Sequence, residues 1–370
     1  MKITTIEAIP VTIPIKSELI IRSARGVHDE SPFVIVRVHT DEGITGLGEV
    51  SCTPIWSGED QVTAVHFIDT LLTPALIGQS PLEIEPVRAI MRRVLAANPF
   101  TKAAIETACW DILDKAAGLP LYRLWGGPVR ARIPIKFSLS ATEPERVARI
   151  AEWAVTQGFR AMKVKVGTDP EADIRRYRAV RAVIGPDVRL GADANGGWSV
   201  RQAIDAVRRL EEHGLWFIEQ PVPPGDPSRL AEIRAATRTP LLADESVETA
   251  ADAMALIRAG AADVLSAYIG KGAGPDAARR IATVAQAGGI GCTLGSNLEL
   301  GVASAAMIHL AASTTDFTCE SFPPDILGPL YYEADVLAEP LDFRDGSDGL
   351  PTAPGLGVEL DESVIARYRR

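Results

Sequence analysis

A short β-branched run recurs along this chain from about Arg130 onward. The runs end near Ser138, Lys165, Asp193, Glu219, Asp244, Tyr268, Leu294 and Glu320, at spacings of about 24–28 residues, which is one strand plus one helix. Helical patterns lie between them, the clearest over Ser199–Gly214. There Ser199 and Gln202 make a capping box, and Val200, Ala203, Ile204, Val207 and Leu210 share one apolar face. Eight strands at this period predict an α/β chain whose parallel sheet closes into a barrel. An open doubly wound sheet is the competing arrangement. No G-x-G-x-x-G opens a helix, however, and Gly270, Gly272 and Gly274 have the wrong spacing for one.

The first 125 residues have a different grain. Ile3–Ile13, Phe33–Thr40 and Gly46–Ser51 read as strands, with a turn at Asp41-Glu42-Gly43. Helical stretches follow over Gln61–Leu72, Leu82–Leu95 and Thr101–Ala117, the last with Thr101 as N-cap and Gly118 and Pro120 as its stop. Strands first and helices second make an α+β unit.

Composition excludes several classes. Of 370 residues, 46% are hydrophobic and 23% charged, which suits a globular chain with a large core. The net charge of −10, with no basic block, leaves no footprint for nucleic acid or an anionic membrane. Met1–Ile15 is interrupted by Glu7, Pro10 and Pro14, unlike a signal peptide, and the apolar stretch Gly301–Ser313 is too short to span a bilayer. Cys52, Cys109, Cys292 and Cys319 are scattered and read as reduced core thiols of a cytoplasmic protein.

In a barrel, chemistry sits where strands end. Asp193, Glu219 and Asp244 end three consecutive strands, so they converge at one mouth, where unpartnered carboxylates would repel. A hard dication resolves this. Oxygen ligands without His or Cys point to Mg²⁺, with Mn²⁺ as a substitute, rather than zinc. Asn195 shares the face of Asp193, and Glu245 is a neighbouring supporting carboxylate. In Ala161–Gly167 the period of two sends Met162, Val164 and Val166 outward and Lys163 and Lys165 into the barrel. Mutual repulsion and a nearby cation favour a neutral amine at one of them, fit to act as a general base. A cation beside a neutral amine suits removal of the proton α to a carboxylate through a stabilised enediolate.

These residues resemble the enolase superfamily, in particular its muconate lactonizing enzyme-like subgroup. The matching pieces are Lys163–Lys165, Asp193–Asn195, Ile218-Glu219-Gln220-Pro221 and Asp244-Glu245-Ser246, with the helix Ala104–Asp111, Pro120 and Gly126-Gly127. The resemblance covers essentially the whole chain. It implies a modified TIM barrel, (β/α)7β, over residues 126–334, beneath an N-terminal α+β capping domain over 1–125 that the tail at about 335–370 completes. It implies Mg²⁺ on Asp193, Glu219 and Asp244, Lys165 as acid/base tuned and oriented by Lys163, and Glu320 on the eighth strand in contact with the substrate carboxylate or its partners. It also implies a homo-oligomer, from dimer to octamer.

One departure shapes the expected reaction. Relatives with two opposed bases carry a lysine at the end of strand six, before a run like M-K-x-G-G, whereas this chain has Tyr268, with Lys271 three residues on. A His at the end of strand seven is absent too, since Thr293–Asn297 holds none. One strong base favours β-elimination or cycloisomerisation of a small carboxylate, with Lys165 taking the proton and Lys165 or Tyr268 returning one. Racemisation or epimerisation of an N-acyl amino acid or dipeptide is the alternative, and a catalytically silent ligand-binding member is another. A barrel with a phosphate loop at Gly295-Ser296 does not account for the acids. Arg25 and His28 in the first capping loop, and Trp56 in the second, are candidates for contact with the substrate.

Overall fold

A computed structural model describes residues 1–370. Ile3–Pro14, Glu30–Thr40 and Thr45–Ser51 form an antiparallel sheet in that order. Val34, Val36 and Val38 turn toward Ile105 and Ile112 of the helix Pro99–Ala117 to make the capping core. That helix packs unusually close to the third strand. A Cβ on Gly46 or Gly48 would lie 2.0 Å from the carbonyl oxygens of Ala108 and Ala104. Backbone cannot yield as a side-chain tip can, so Gly48→Ala is expected to cost about 1–3 kcal/mol or more, read as a lower denaturant midpoint at unchanged slope.

The helix does not begin as the sequence suggests. Pro99 is its first residue, after Asn98 in the left-handed region at φ 62°, and Thr101 lies inside the first turn. The Glu59 carboxylate accepts from the amides of Phe100 and Thr101 and from the Thr101 hydroxyl at 2.8, 3.0 and 2.6 Å, so a distant residue does the capping. The helix begun at Gln61, capped by Asp60, passes at Ile68–Leu72 through a π turn before Thr73–Leu76. The next helix runs Ile84–Val94.

The second unit is a curled parallel sheet of seven strands in chain order: Phe137–Leu139, Ala161–Lys165, Arg189–Asp193, Ile218–Glu219, Leu241–Ala243, Val264–Ala267 and Gly291–Leu294. Helices separate them, including Val200–Glu211 with the Ser199–Gln202 capping box. No eighth strand ends at Glu320. The gap is bridged by an extended segment a few residues later. Asp325 N donates to Leu294 O at 3.2 Å on one side, and Lys136 N donates to Pro324 O at 3.0 Å on the other. Pro323 and Pro324 have no amide to give a ladder, which removes the strand signal and moves the inward acid from position 320 to 325.

The tail binds both units. Ser347–Gly349 pairs with Arg132–Pro134 just before the barrel begins. The last helix, Glu362–Tyr368, ends beside the first strand, where Arg370 N donates to Pro10 O at 3.0 Å. All four cysteines are buried and free, and no helix is long and apolar enough to cross a membrane.

Candidate active site

The strand ends bring the acids and amines together. Lys163 and Lys165 share the inward face of the second strand, while Met162 and Val164 are fully buried on the other. Lys163 Nζ lies 2.7 Å from Glu219 Oε1, 2.9 Å from Asp325 Oδ2 and 3.3 Å from Asp193 Oδ2. Lys165 Nζ has one carboxylate partner, Asp193 Oδ2, at 2.6 Å. Asp193, Glu219 and Asp244 are each about 1% exposed.

Local structure explains the motif residues beside them. The amide of Asn195, at φ 43°, returns to Asp193 Oδ1 at 2.9 Å, and its side chain donates to Glu245 Oε1 at 3.2 Å. Gln220, held at φ 34°, accepts from Asp244 N at 3.0 Å and donates to Val222 O and the Ser246 hydroxyl at 2.8 Å each. Its side chain therefore ties the end of the fourth strand to the start of the loop that presents Asp244. Left-handed residues next to functional acids are a common form of local strain at sites.

Above these groups lies a cavity of about 290 Å³ between the barrel mouth and the capping loops. Arg25, His28, Trp56, Lys163, Lys165, Asn195, Asp244 and Tyr268 all line it. Arg25 Nε donates to Asn195 O at 3.2 Å and Nη2 stands 3.6 Å from Glu245, so it braces the loop on the barrel. His28 Nε2 contacts the Ser31 hydroxyl at 2.5 Å, and burial pushes the imidazole down to about 4, leaving it neutral. Tyr268 donates to Asp244 Oδ2 at 2.8 Å. Lys271 folds back behind it, 2.5 Å from Asp244 Oδ1, without reaching the cavity.

Two sequence expectations change. Glu320 is outside the barrel, 65% exposed, and paired with Arg130 at 2.7 Å. Glu320→Ala is accordingly expected to cost at most about 1 kcal/mol in thermal or denaturant unfolding and to leave turnover unchanged. Asp325, missed from sequence, lines the cavity instead and pairs with both Lys163 and Lys136. The visible signal is Lys136 itself, an inward polar residue among Ile133, Ile135 and Phe137 that needs a buried acid.

Repulsion between the two lysines does not decide the charge of Lys163. Burial works against the Lys163 ammonium, but Asp325, Glu219 and Asp193 outweigh it and hold its pKa well above the usual amine range. Burial, then Asp193, pushes the Glu219 carboxyl well up, while Lys165 and Lys163 overcome burial and keep Asp193 below the usual range. Glu245 is raised to about 7 by burial and by Asp244 and Asp193. Tyr268 is raised by burial and by Asp244, so its hydroxyl stays protonated.

As these side chains lie, no three acids, imidazoles or thiols stand in a ligating arrangement, because lysines and Tyr268 hold the oxygens. The donor set still suits a hard dication. It offers three buried carboxylates on consecutive strands and no nitrogen or sulfur ligand. Asn195 Oδ1 and Glu245 Oε2 beside them are buried without a partner.

Residues 5–126 match the mandelate racemase/muconate lactonizing enzyme N-terminal domain, and residues 145–364 match the enolase C-terminal domain-like family. The chain belongs to the mandelate racemase/muconate lactonizing enzyme family. It is therefore an enzyme of the enolase superfamily. Within that family it is 34% identical over 366 residues to the N-succinyl-L-Arg/Lys racemase of Bacillus cereus, covering 99% of this chain and 97% of that one. The crystal structure of that racemase superposes with a TM-score of 0.95 over 100% of this chain and 98% of the other. Muconate lactonizing enzyme from Pseudomonas fluorescens, solved with muconolactone, gives 0.95 at 31% identity over 100% and 99% of the two chains. A dipeptide epimerase from Cytophaga hutchinsonii, solved with Mg and D-Ala-L-Val, gives 0.94 at 31% over 100% and 99%. Relatives at similar distance within the mandelate racemase/muconate lactonizing enzyme family thus include racemases, epimerases and cycloisomerases.

Proposed function

We propose that the chain is a Mg²⁺-dependent enzyme that removes the proton α to the carboxylate of a small acid and works from one face, as a cycloisomerase or, where the β-carbon bears a leaving group, as a lyase. The observation that carries this reading is the asymmetry of the cavity walls. Lys165, with a single carboxylate partner, is the freer of the two amines, whereas Lys163 is held among three. Across the ring of strands stands Tyr268, its hydroxyl committed to Asp244 and kept protonated, with Lys271 behind it. A second base is missing from that wall, and 1,1-proton transfer needs one on each face.

Asp193, Glu219 and Asp244 would hold the dication, with Asn195 and Glu245 supporting them. Bound there, Mg²⁺ or Mn²⁺ would set positive charge against the enediolate. In syn-elimination Lys165 takes the α-proton and passes it to the leaving group on the same face. In cycloisomerisation it protonates the α-carbon after a second carboxylate of the substrate adds to the double bond, or in reverse takes the lactone's α-proton as that C–O bond breaks. Lys163 keeps a fixed positive charge beside it, anchored by Asp325 and Glu219. Structures of relatives with Mg²⁺ and with muconolactone support the cofactor and the substrate class. Because racemases and cycloisomerases are about equally similar, the reaction class rests on Tyr268.

The test is incubation with Mg²⁺ in deuterated water over acid sugars, N-acyl amino acids, dipeptides, hydroxyprolines and muconates, followed by proton NMR and chiral analysis. Deuterium at the α-carbon with retained configuration, or a lactone or dehydrated product, is expected. Deuterated product of inverted configuration would sink the one-face reading.

A further inference from the structure

The residue that stands where a second lysine was expected is itself elaborately accommodated. Tyr268 stacks on Trp56 with ring centroids 5.2 Å apart and an interplanar angle of 24°. Trp56 comes from the other unit, in the capping turn Pro54–Ser57 that follows the third strand. The Lys271 ammonium lies 4.0 Å from the Tyr268 centroid and 5.9 Å from that of Trp56, within cation–π reach of both. The barrel also makes room for the ring. A Cβ on Gly295, at the end of the seventh strand, would fall 1.9 Å from Tyr268 Cε1, so that position must be glycine while Tyr268 keeps this place.

The capping turn has few other anchors, chiefly the packing of Trp56 on the edge of the capping core. Phe100 meets Trp56 edge-on at 5.9 Å, and Asn297 Nδ2 donates to the Ser51 and Thr53 hydroxyls at the base of the turn. Ile55 is 58% exposed, and no residue from Pro54 to Ser57 is fully buried.

We propose that Tyr268 is a positioning residue that docks the capping turn: its ring is the platform on which Trp56 seats, closing the cavity from the capping side. The chain gives up a base at this strand end and gains an aromatic surface that keeps the turn in place over the reacting centre. The platform depends on the ring, the glycine opposite it and the Lys271 cation, and not on the tyrosine hydroxyl. This inference concerns closure of the cavity and holds whichever reaction the enzyme performs.

Hydrogen exchange of the full-length protein, resolved at residues 53–58, tests it without a substrate. Tyr268→Ala and Trp56→Ala are each expected to speed exchange there by about tenfold, the size of one lost aromatic stack, and the double variant by no more than either alone. Tyr268→Phe should retain the protection of the unaltered protein, and Gly295→Ala should lose it, because its Cβ displaces the ring. Exchange within Pro99–Ala117 reports whether each variant is folded and should not change. Protection at 53–58 that survives Tyr268→Ala in a folded protein would overturn the proposal. So would a loss in Tyr268→Phe as large as in Tyr268→Ala, since that would assign the effect to the hydroxyl and its bond to Asp244.

Discussion

Lys165→Ala is expected to lower turnover and α-proton exchange by about 10²–10⁴-fold while leaving the fold and metal affinity in place. The side chain is tied to the rest of the protein by one ion pair, to Asp193. Its removal leaves that carboxylate with Lys163 at 3.3 Å and the Asn195 amide at 2.9 Å, so no buried charge is stranded. Lys163→Ala is a different experiment, since it strips a partner from Asp325, Glu219 and Asp193 together and should lower stability as well as rate. The decisive measurement is the α-proton exchange rate at saturating Mg²⁺ beside the Mg²⁺ affinity. An alanine variant that exchanged at the original rate would remove Lys165 from the mechanism.

Glu219→Gln separates metal binding from folding by the signs of its two effects. The carboxyl is buried, and Asp193 and Asp244 disfavour its charge, while Lys163 favours it. A neutral amide of the same shape can still accept from Lys163 and relieves that repulsion. In the metal-free protein the variant should therefore melt no lower than the original. With Mg²⁺ the order should reverse. The original gains about 2.7 kcal/mol when the ion is present at a hundredfold excess over its dissociation constant, and the variant gains almost nothing. Calorimetric titration should show affinity weakened by more than about 100-fold. Unchanged affinity would refute the assignment of Glu219 to the metal.

Much of this site is written in the strand period. Once each unit is about 26 residues long, Lys165, Asp193, Glu219 and Asp244 occupy equivalent phases and meet at one mouth. The errors arise where local pattern carries no information. Pro323-Pro324 erases the strand signal, so Glu320 takes on paper the place Asp325 holds in space. The cap of Pro99–Ala117 comes from Glu59, 41 residues away from the amide it caps, while Thr101 mimics a local cap. Two adjacent inward lysines suggest repulsion, yet Asp325 and Glu219 decide the state of Lys163. Lys271 looks remote at three residues past Tyr268. The turn that follows Tyr268, with Gly272 N donating to Tyr268 O at 3.3 Å, brings its ammonium back onto Asp244.

The bridge that closes the barrel has a consequence for how the protein is made. The second strand, with both lysines, leaves the ribosome early, but the Asp325 that fixes Lys163 is 162 residues further on, and the tail strand pairs with Arg132–Pro134 across some 215 residues. An N-terminal fragment that already contains every proposed metal ligand still has an open sheet edge, and its buried Lys136 still lacks the carboxylate of Asp325. Folding to activity is thus expected to be largely post-translational, with slow, high-contact-order closure as its last event and the half-made barrel as the species that most needs a chaperone.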